Sequence, residues 1–231
     1  MREPRRAQDG SRWERLADRV LQVLRAEGWS GTDGAWRTYL DGSSAPDPYA
    51  TLLAVHAGLF DGAVPRGAVD VMTAATFRTP FMRTLALRAL GSAGHRPDAV
   101  RALAADWGPM LDAGSVTFWE EFPRPGHDPL SMYGRPYGKS LCHGWASGPA
   151  AALPELVLGL VPLEPGWRTF TVDPDLGDLG WAAAVVPLGG GDLTVVADRD
   201  GLLTVDVPAG HALSYEGSLH HGPGRLEIPW G

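Results

Sequence analysis

The stretch Gly159-Leu160-Val161-Pro162-Leu163-Glu164-Pro165-Gly166-Trp167 divides the chain. Its two prolines and two glycines interrupt regular structure, and the apolar spacing differs on its two sides. Downstream the period is two: Arg168–Val172, Trp181–Val186, Leu193–Ala197, Leu202–Val207 and Ala212–Tyr215 read as short strands. Gly189-Gly190-Gly191-Asp192 and Asp198-Arg199-Asp200-Gly201 supply turns between them. Five or six short antiparallel strands suggest a small β-sandwich or curled sheet, marginal alone and expected to pack against helices.

Upstream the spacing is helical. Leu16, Val20, Val23 and Leu24 mark one face of an amphipathic helix over about residues 12–26, with Gly28 as its stop. Asp47-Pro48 opens a second helix, which runs through Leu59 to a stop at Asp61-Gly62. Further helices are predicted over residues 67–76, 80–90, from Pro97 to about Leu111, and within 147–159, where Pro149 and Pro154 limit the extent. The predicted domains are therefore residues 1–162, helical, and 163–231, β.

The chain has 231 residues, with 44% apolar and 20% charged. That composition excludes wholesale disorder and is enough for a sizeable core. The 30 Gly and 20 Pro make a loop-rich protein. One Cys excludes an internal disulfide framework. No apolar run approaches a membrane span, and no apolar segment follows Met1–Arg6, so neither membrane nor secretion is expected and the predicted location is cytoplasmic. Residues 115–231 carry 6 basic and 14 acidic groups. This acidic half repels phosphate backbones and argues against nucleic acid as a partner. The nine Trp suit ligand surfaces that combine an apolar face with a polar rim.

The long stretch from Gly114 to Pro149 concentrates the chemistry. Phe118-Trp119 precede Glu120, and a carboxylate among aromatics is desolvated in a way that suits acid–base work. An ordinary solvated glutamate is the bland alternative, and the commoner one. Glu121 has the same raw claim, but neighbouring side chains point different ways, so at most one of the two faces a given site. His143 could hydrogen-bond a hydroxyl or orient Glu120, or simply be a satisfied core histidine. Trp119 and Trp145 could stack on a sugar ring or pack in the core. Gly144-Trp145-Ala146-Ser147-Gly148 has the wrong spacing for a nucleophile elbow. Cys142 beside His143 does not make a nucleophile–base pair. Asp173, Asp175 and Asp178 lack a full calcium-loop pattern and read as turn residues. No metal site and no cofactor is expected.

Gly114-Ser115-Val116-Thr117-Phe118-Trp119-Glu120 resembles the Gly-x-x-Thr-x-Trp-Glu segment of bacterial α-L-rhamnosidases, glycoside hydrolase family 78 among the six-hairpin glycosidases. Ser140-Leu141-Cys142-His143-Gly144-Trp145 is similar to the family's second segment; His143 follows Glu120 by 23 residues. Trp107-Gly108-Pro109-Met110-Leu111 resembles the helix that leads into the Trp-Glu loop. Gly159–Trp167 resembles the junction between the helical barrel and the C-terminal β-domain.

The resemblance implies an (α/α)6 barrel followed by a β-sandwich, and inverting hydrolysis of terminal α-L-rhamnosides. Inversion uses two carboxyl groups about 6.5–9.5 Å apart, one activating water and one protonating the leaving oxygen. By residue match Glu120 takes the general-base role and His143 a substrate-contacting one, with Trp119 and Trp145 as further substrate-binding candidates. The family's general acid lies in an earlier acidic loop, and nothing in residues 1–80 resembles it. About six helices are predicted where a closed six-hairpin barrel needs twelve; at roughly 11–12 residues each plus connections, twelve would exceed this chain. The expectation is the C-terminal part of a barrel plus the β-domain, with a rhamnoside or related glycoside as substrate. Uncovered helix faces would favour self-association or pairing with an upstream barrel half. The alternative is a non-catalytic carbohydrate-binding or interaction module that keeps Trp119, Trp145 and His143 as a sugar platform.

Overall fold

A computed structural model describes residues 3–43, 47–60 and 62–230. The fold is α+β, and the chain divides into two compact units, Met1–Phe77 and Arg78–Gly231.

The first unit begins with α1 (Glu3–Val23), which ends in a π-helical turn, Leu24–Gly28. A hairpin of β1 (Trp29–Ser30) and β2 (Ala35–Trp36) follows. Then come α2 (Pro48–His56) and α3 (Arg66–Ala74). Asp47 caps α2 as its sequence predicts, accepting from Tyr49 N–H at 2.7 Å, with Pro48 in the first turn. The helix stops at His56, earlier than the expected Asp61-Gly62; Asp61 lies outside the described residues. Leu59 instead leaves the helix to join a small core with Trp36 and Ala54. Phe60 meets Trp29 and Trp36 edge-on at 5.5 and 5.9 Å.

The apolar stripe of α1 behaves only partly as its spacing suggests. Leu21 and Leu24 pack on this core. Leu16, Val20 and Val23 are 45%, 49% and 46% exposed. Periodicity identifies an apolar face, but burial needs a second layer, and the described residues lay none over this one.

The second unit opens with α4 (Pro80–Ser92) and α5 (Arg96–Asp112). A long loop, 113–147, leads to α6 (Gly148–Leu158). These three helices pack on one another. Gly148 lets α6 approach α4 closely, because a Cβ there would overlap the Thr84 side chain. Arg83 pairs with Asp106 at 2.5 Å and Arg88 with Glu155 at 2.8 Å, tying α4 to α5 and to α6.

Gly159 ends α6 in the left-handed conformation at φ 57°. Asp173 N–H and Asp175 N–H then donate to the Leu158 and Val157 carbonyls at 2.9 and 2.8 Å. The helix end is thus satisfied by the chain entering the strands. Eight strands follow: β3 (Val161–Pro162), β4 (Thr169–Thr171), β5 (Trp181–Leu188), β6 (Gly191–Asp198), β7 (Leu202–Val207), β8 (Ala212–Tyr215), β9 (Ser218–His221) and β10 (Gly224–Pro229).

They form two open four-stranded sheets, in the orders β10-β7-β6-β5 and β3-β4-β8-β9. All five predicted strands are present. The pairing of β4 with β8 is parallel, Phe170 opposite Leu213, where only antiparallel strands were expected. β3, β9 and β10 were not predicted, although in β10 Leu226 and Ile228 alternate with Arg225 and Glu227. Arg225 sits opposite Asp206 in register and grips it at 2.7 and 2.8 Å. That bidentate pair lowers the Asp206 carboxyl below the usual range, through its hydrogen bonds to the guanidinium.

One core serves both sheets and the end of α6. It contains Val157, Leu158, Leu160, Phe170, Val172, Leu193, Val195, Leu203, Val205 and Leu213. The alternating burial of β6 and β7 places every second residue in it. The expected packing of strands against helix is therefore present.

Phe170 is fully buried at the meeting of the two sheets. Phe170→Ala should lower stability by about 3–5 kcal/mol, whereas Val185→Ala, at a position 60% exposed, should cost within about 0.5 kcal/mol. Urea midpoints measure both; equal shifts would contradict this core.

Candidate functional site

The site is built from two segments of the 113–147 loop. Glu120 N–H donates to the Ser140 carbonyl at 3.0 Å, and His143 N–H donates to the Phe118 carbonyl at 2.8 Å. The Thr117 hydroxyl donates to the Leu141 carbonyl. Residues 117–120 and 140–143 therefore lie side by side, and Glu120 and His143 come from one backbone pairing despite their separation in sequence.

Two donors address the Glu120 carboxylate. Ser140 N–H reaches Oε2 at 3.1 Å, and the Tyr133 hydroxyl lies 3.5 Å from Oε1. Glu120 remains half-buried and open to solvent. Tyr133 arrives from a tight turn closed by the Met132–Arg135 bridge and holds φ at 53°, a costly conformation for an aromatic residue.

Glu121 goes the other way. It is 1% exposed, paired with Arg78 Nε and 3.6 Å from Arg124 Nε. The Glu121 carboxylate raises the Arg78 guanidinium above its ordinary value, chiefly through their hydrogen bond. Adjacent glutamates thus divide: one is sealed in an ion-pair cluster, the other faces outward. A buried carboxylate left unpaired would be costly, and the two guanidinium groups compensate Glu121.

The aromatic residues divide in the same way. Trp119 is 5% exposed, with Lys139 Nζ 5.7 Å from its ring centroid. It is turned into the protein and presents no open face for stacking. Trp145 is 71% exposed. It packs beside Phe81 at 5.4 Å and stands edge-on to His143 at 6.2 Å. Trp145 rides on a 3-10 turn, Gly144–Ala146, anchored from below by Trp107 Nε1 donating to the Ala146 carbonyl at 3.3 Å. Tyr133 and Tyr137 are also exposed. The paired segments and the turns beside them thus carry a carboxylate, an imidazole and open aromatic side chains, groups of the kind that bind a polyhydroxylated ring.

The sequence reading gives no site role to Tyr133, Lys139 or Phe81. A signal existed for Lys139: it is the chain's only lysine, inside the loop that carries the chemistry. Cys142 is exposed and free. Asp173, one of the three turn aspartates, pairs with Arg96 at 3.0 Å. Among the described residues no cluster of three His, Cys, Asp or Glu side chains forms a metal-ligand set.

Comparisons with known proteins agree with the sequence resemblance. Residues 159–214 match the family model described as the bacterial α-L-rhamnosidase C-terminal domain. The fold is similar to a GH78 family rhamnosidase of Bacillus sp. GL1 (25% identity, TM-score 0.62, 84% of this chain and 20% of that one). It is also similar to an α-L-rhamnosidase from Aspergillus terreus (17% identity, TM-score 0.71, 96% of this chain and 28% of that one). A third similar structure is an α-L-rhamnosidase from Dictyoglumus thermophilum (15% identity, TM-score 0.63, 89% and 23%). The chain therefore spans between a fifth and under a third of the proteins it resembles. No curated protein sequence matches it. The resemblance to the C-terminal part of glycoside hydrolase family 78 α-L-rhamnosidases extends over most of the chain.

Burial is the main force on Lys139, and it pushes the ammonium below the ordinary lysine range. Between the folded and ordinary values the unfolded chain still holds a proton that the folded chain has released, so stability rises with pH across that window. The burial penalty is fully present below it. Lys139→Met should flatten this rise in denaturant midpoints measured from neutral to alkaline pH; identical slopes in the two proteins would contradict it.

Proposed function

We propose that this chain carries the base side of an α-L-rhamnosidase-like active site, with a terminal α-L-rhamnoside or a related glycoside as substrate. The observation that carries the proposal is the backbone pairing of the Glu120 segment with the His143 segment, with the exposed Trp145 edge-on to His143, in a chain similar to α-L-rhamnosidases. In that reaction Glu120 takes a proton from water as it attacks the anomeric carbon. A second carboxyl group protonates the leaving oxygen from the opposite face. Glu120 suits the first role: one carboxylate oxygen is fixed by an amide, and the group stays accessible to water. His143 and Trp145 hold the sugar, one by hydrogen bonding and one by its ring face. Trp119 contributes from beneath, by packing.

In architectural terms, residues 1–162 correspond to a C-terminal portion of a six-hairpin (α/α)6 barrel, and 163–231 to the β-sandwich domain. The support is the order of six helices before two four-stranded sheets that share one core. The acidic loop that supplies the acid has no likeness in residues 1–80, so only the base is assigned to this chain.

A non-catalytic carbohydrate-binding module is favoured by a different observation, the open aromatic faces of Trp145, Tyr133 and Tyr137. Both functions leave apolar surface in want of a partner. An apolar groove of about 310 Å³ is lined by Leu103, Trp107, Met110, Val116, Phe118 and Leu153. Self-association or pairing with an upstream barrel half would cover it, and a strict monomer in sedimentation at every concentration would speak against that.

Hydrolysis of an aryl α-L-rhamnoside separates the two functions. The chain alone should show little turnover. In a protein that also supplies the acid, Glu120→Gln should reduce kcat by at least about 10²–10³-fold with KM nearly unchanged. Unchanged turnover in that variant would remove Glu120 from the mechanism.

A further inference from the structure

The role of Lys139 goes beyond that assignment, and rests on Glu120 being the functional carboxylate of the site. Lys139 is the only lysine among 20 basic residues. It is 7% exposed, unusual for a residue type that almost always keeps its charge in water. Its Nζ lies over the Trp119 ring at 5.7 Å, within range for a cation–π contact in a desolvated setting. The charged groups around it are Glu121, Arg124, Asp128 and Glu120. Glu121 is itself committed to Arg78 and Arg124.

The backbone around Lys139 is equally constrained. Its N–H donates to the Leu130 carbonyl at 3.3 Å, and Gly138 N–H to the Arg135 carbonyl at 3.2 Å. A Cβ at Gly138 would overlap the Met132 carbonyl, so only glycine allows the chain to pass there. The next residue after Lys139 is Ser140, whose carbonyl accepts from Glu120 N–H and whose own N–H donates to Glu120 Oε2. Whatever seats Lys139 therefore seats both hydrogen bonds that fix Glu120.

We propose that Lys139 is a positioning residue for Glu120. Its buried ammonium, held on the face of Trp119 and drawn toward the carboxylates of Glu121, Asp128 and Glu120, locks the Ser140 amide against the Glu120 carboxylate. A neutral side chain of the same volume fills the space but supplies neither attraction. Arginine is no substitute, because its fork would not fit the same buried seat.

Two measurements on the intact chain test this, and neither depends on hydrolysis. Failure of the rhamnosidase reading and failure of this inference are therefore distinguishable. Protein grown with 13Cε-labelled lysine gives one signal, whose pH titration reports Lys139 directly. The expected midpoint lies below the ordinary lysine range and falls further in Glu120→Gln, because a carboxylate that favours the ammonium is gone. Superimposable titrations in the two proteins would show that the ammonium does not sense Glu120 and would overturn the proposal. In Lys139→Met, the Ser140 amide should exchange with solvent faster than in the parent, while core amides such as those of β6 and β7 keep their protection. An unchanged Ser140 exchange rate would equally overturn it. Should Lys139→Met fail to fold, the lysine titration with and without Glu120→Gln decides alone.

Discussion

Two hydrogen bonds, from Glu120 N–H to the Ser140 carbonyl and from His143 N–H to the Phe118 carbonyl, join segments that the sequence keeps 20 and 25 residues apart. The candidate site exists because they form. A loop of this length has a large entropy cost to order, and regular structure offsets little of it here. Burial offsets it instead. Trp119, Glu121, Met132 and Lys139 are all turned inward from the loop, while Trp107 and Phe122 clasp edge-to-face at 4.8 Å. The loop is thus a small core in its own right, and Glu120, Tyr133 and Trp145 are what it leaves on the outside.

That core contains charge. Glu121, paired with the half-exposed Arg78 and Arg124, and Lys139 on Trp119 lie buried where leucine would be expected on energetic grounds alone. Buried ion pairs seldom stabilise more than well-packed apolar residues would, so stability is a weak reason for their presence. Geometry is a better one. Ionic partners fix a register that interchangeable apolar contacts would leave loose, and register decides whether a carboxylate projects outward or is sealed within. The pair Glu120–Glu121 shows how sharp that decision is, since adjacent residues take opposite fates.

Much of this was legible in the sequence. All six helices and the five read strands are present, with capping and turn residues such as Asp47-Pro48 and Gly189-Gly190 marking ends, although α1 begins earlier than its apolar stripe and α2 stops earlier than Asp61-Gly62. The opposed directions of Glu120 and Glu121 follow from elementary chain geometry. Other features needed the third dimension. Helical spacing at Leu16, Val20 and Val23 shows an apolar face but not what covers it. Trp119 and Trp145 are the same residue type in the same loop, and only tertiary packing buries one and exposes the other. The parallel pairing of β4 with β8 joins strands more than forty residues apart, beyond the reach of any local pattern.

The central claim is that Glu120, His143 and Trp145 form one sugar-facing surface. The most direct measurement is amide chemical-shift mapping of the 15N-labelled chain titrated with methyl α-L-rhamnoside. Saturable shifts should cluster at Glu120, Ser140, His143 and Trp145, and the same titration with an unrelated sugar should move them less. Shifts confined to other parts of the chain, or none at concentrations that saturate rhamnoside-binding proteins, would contradict it.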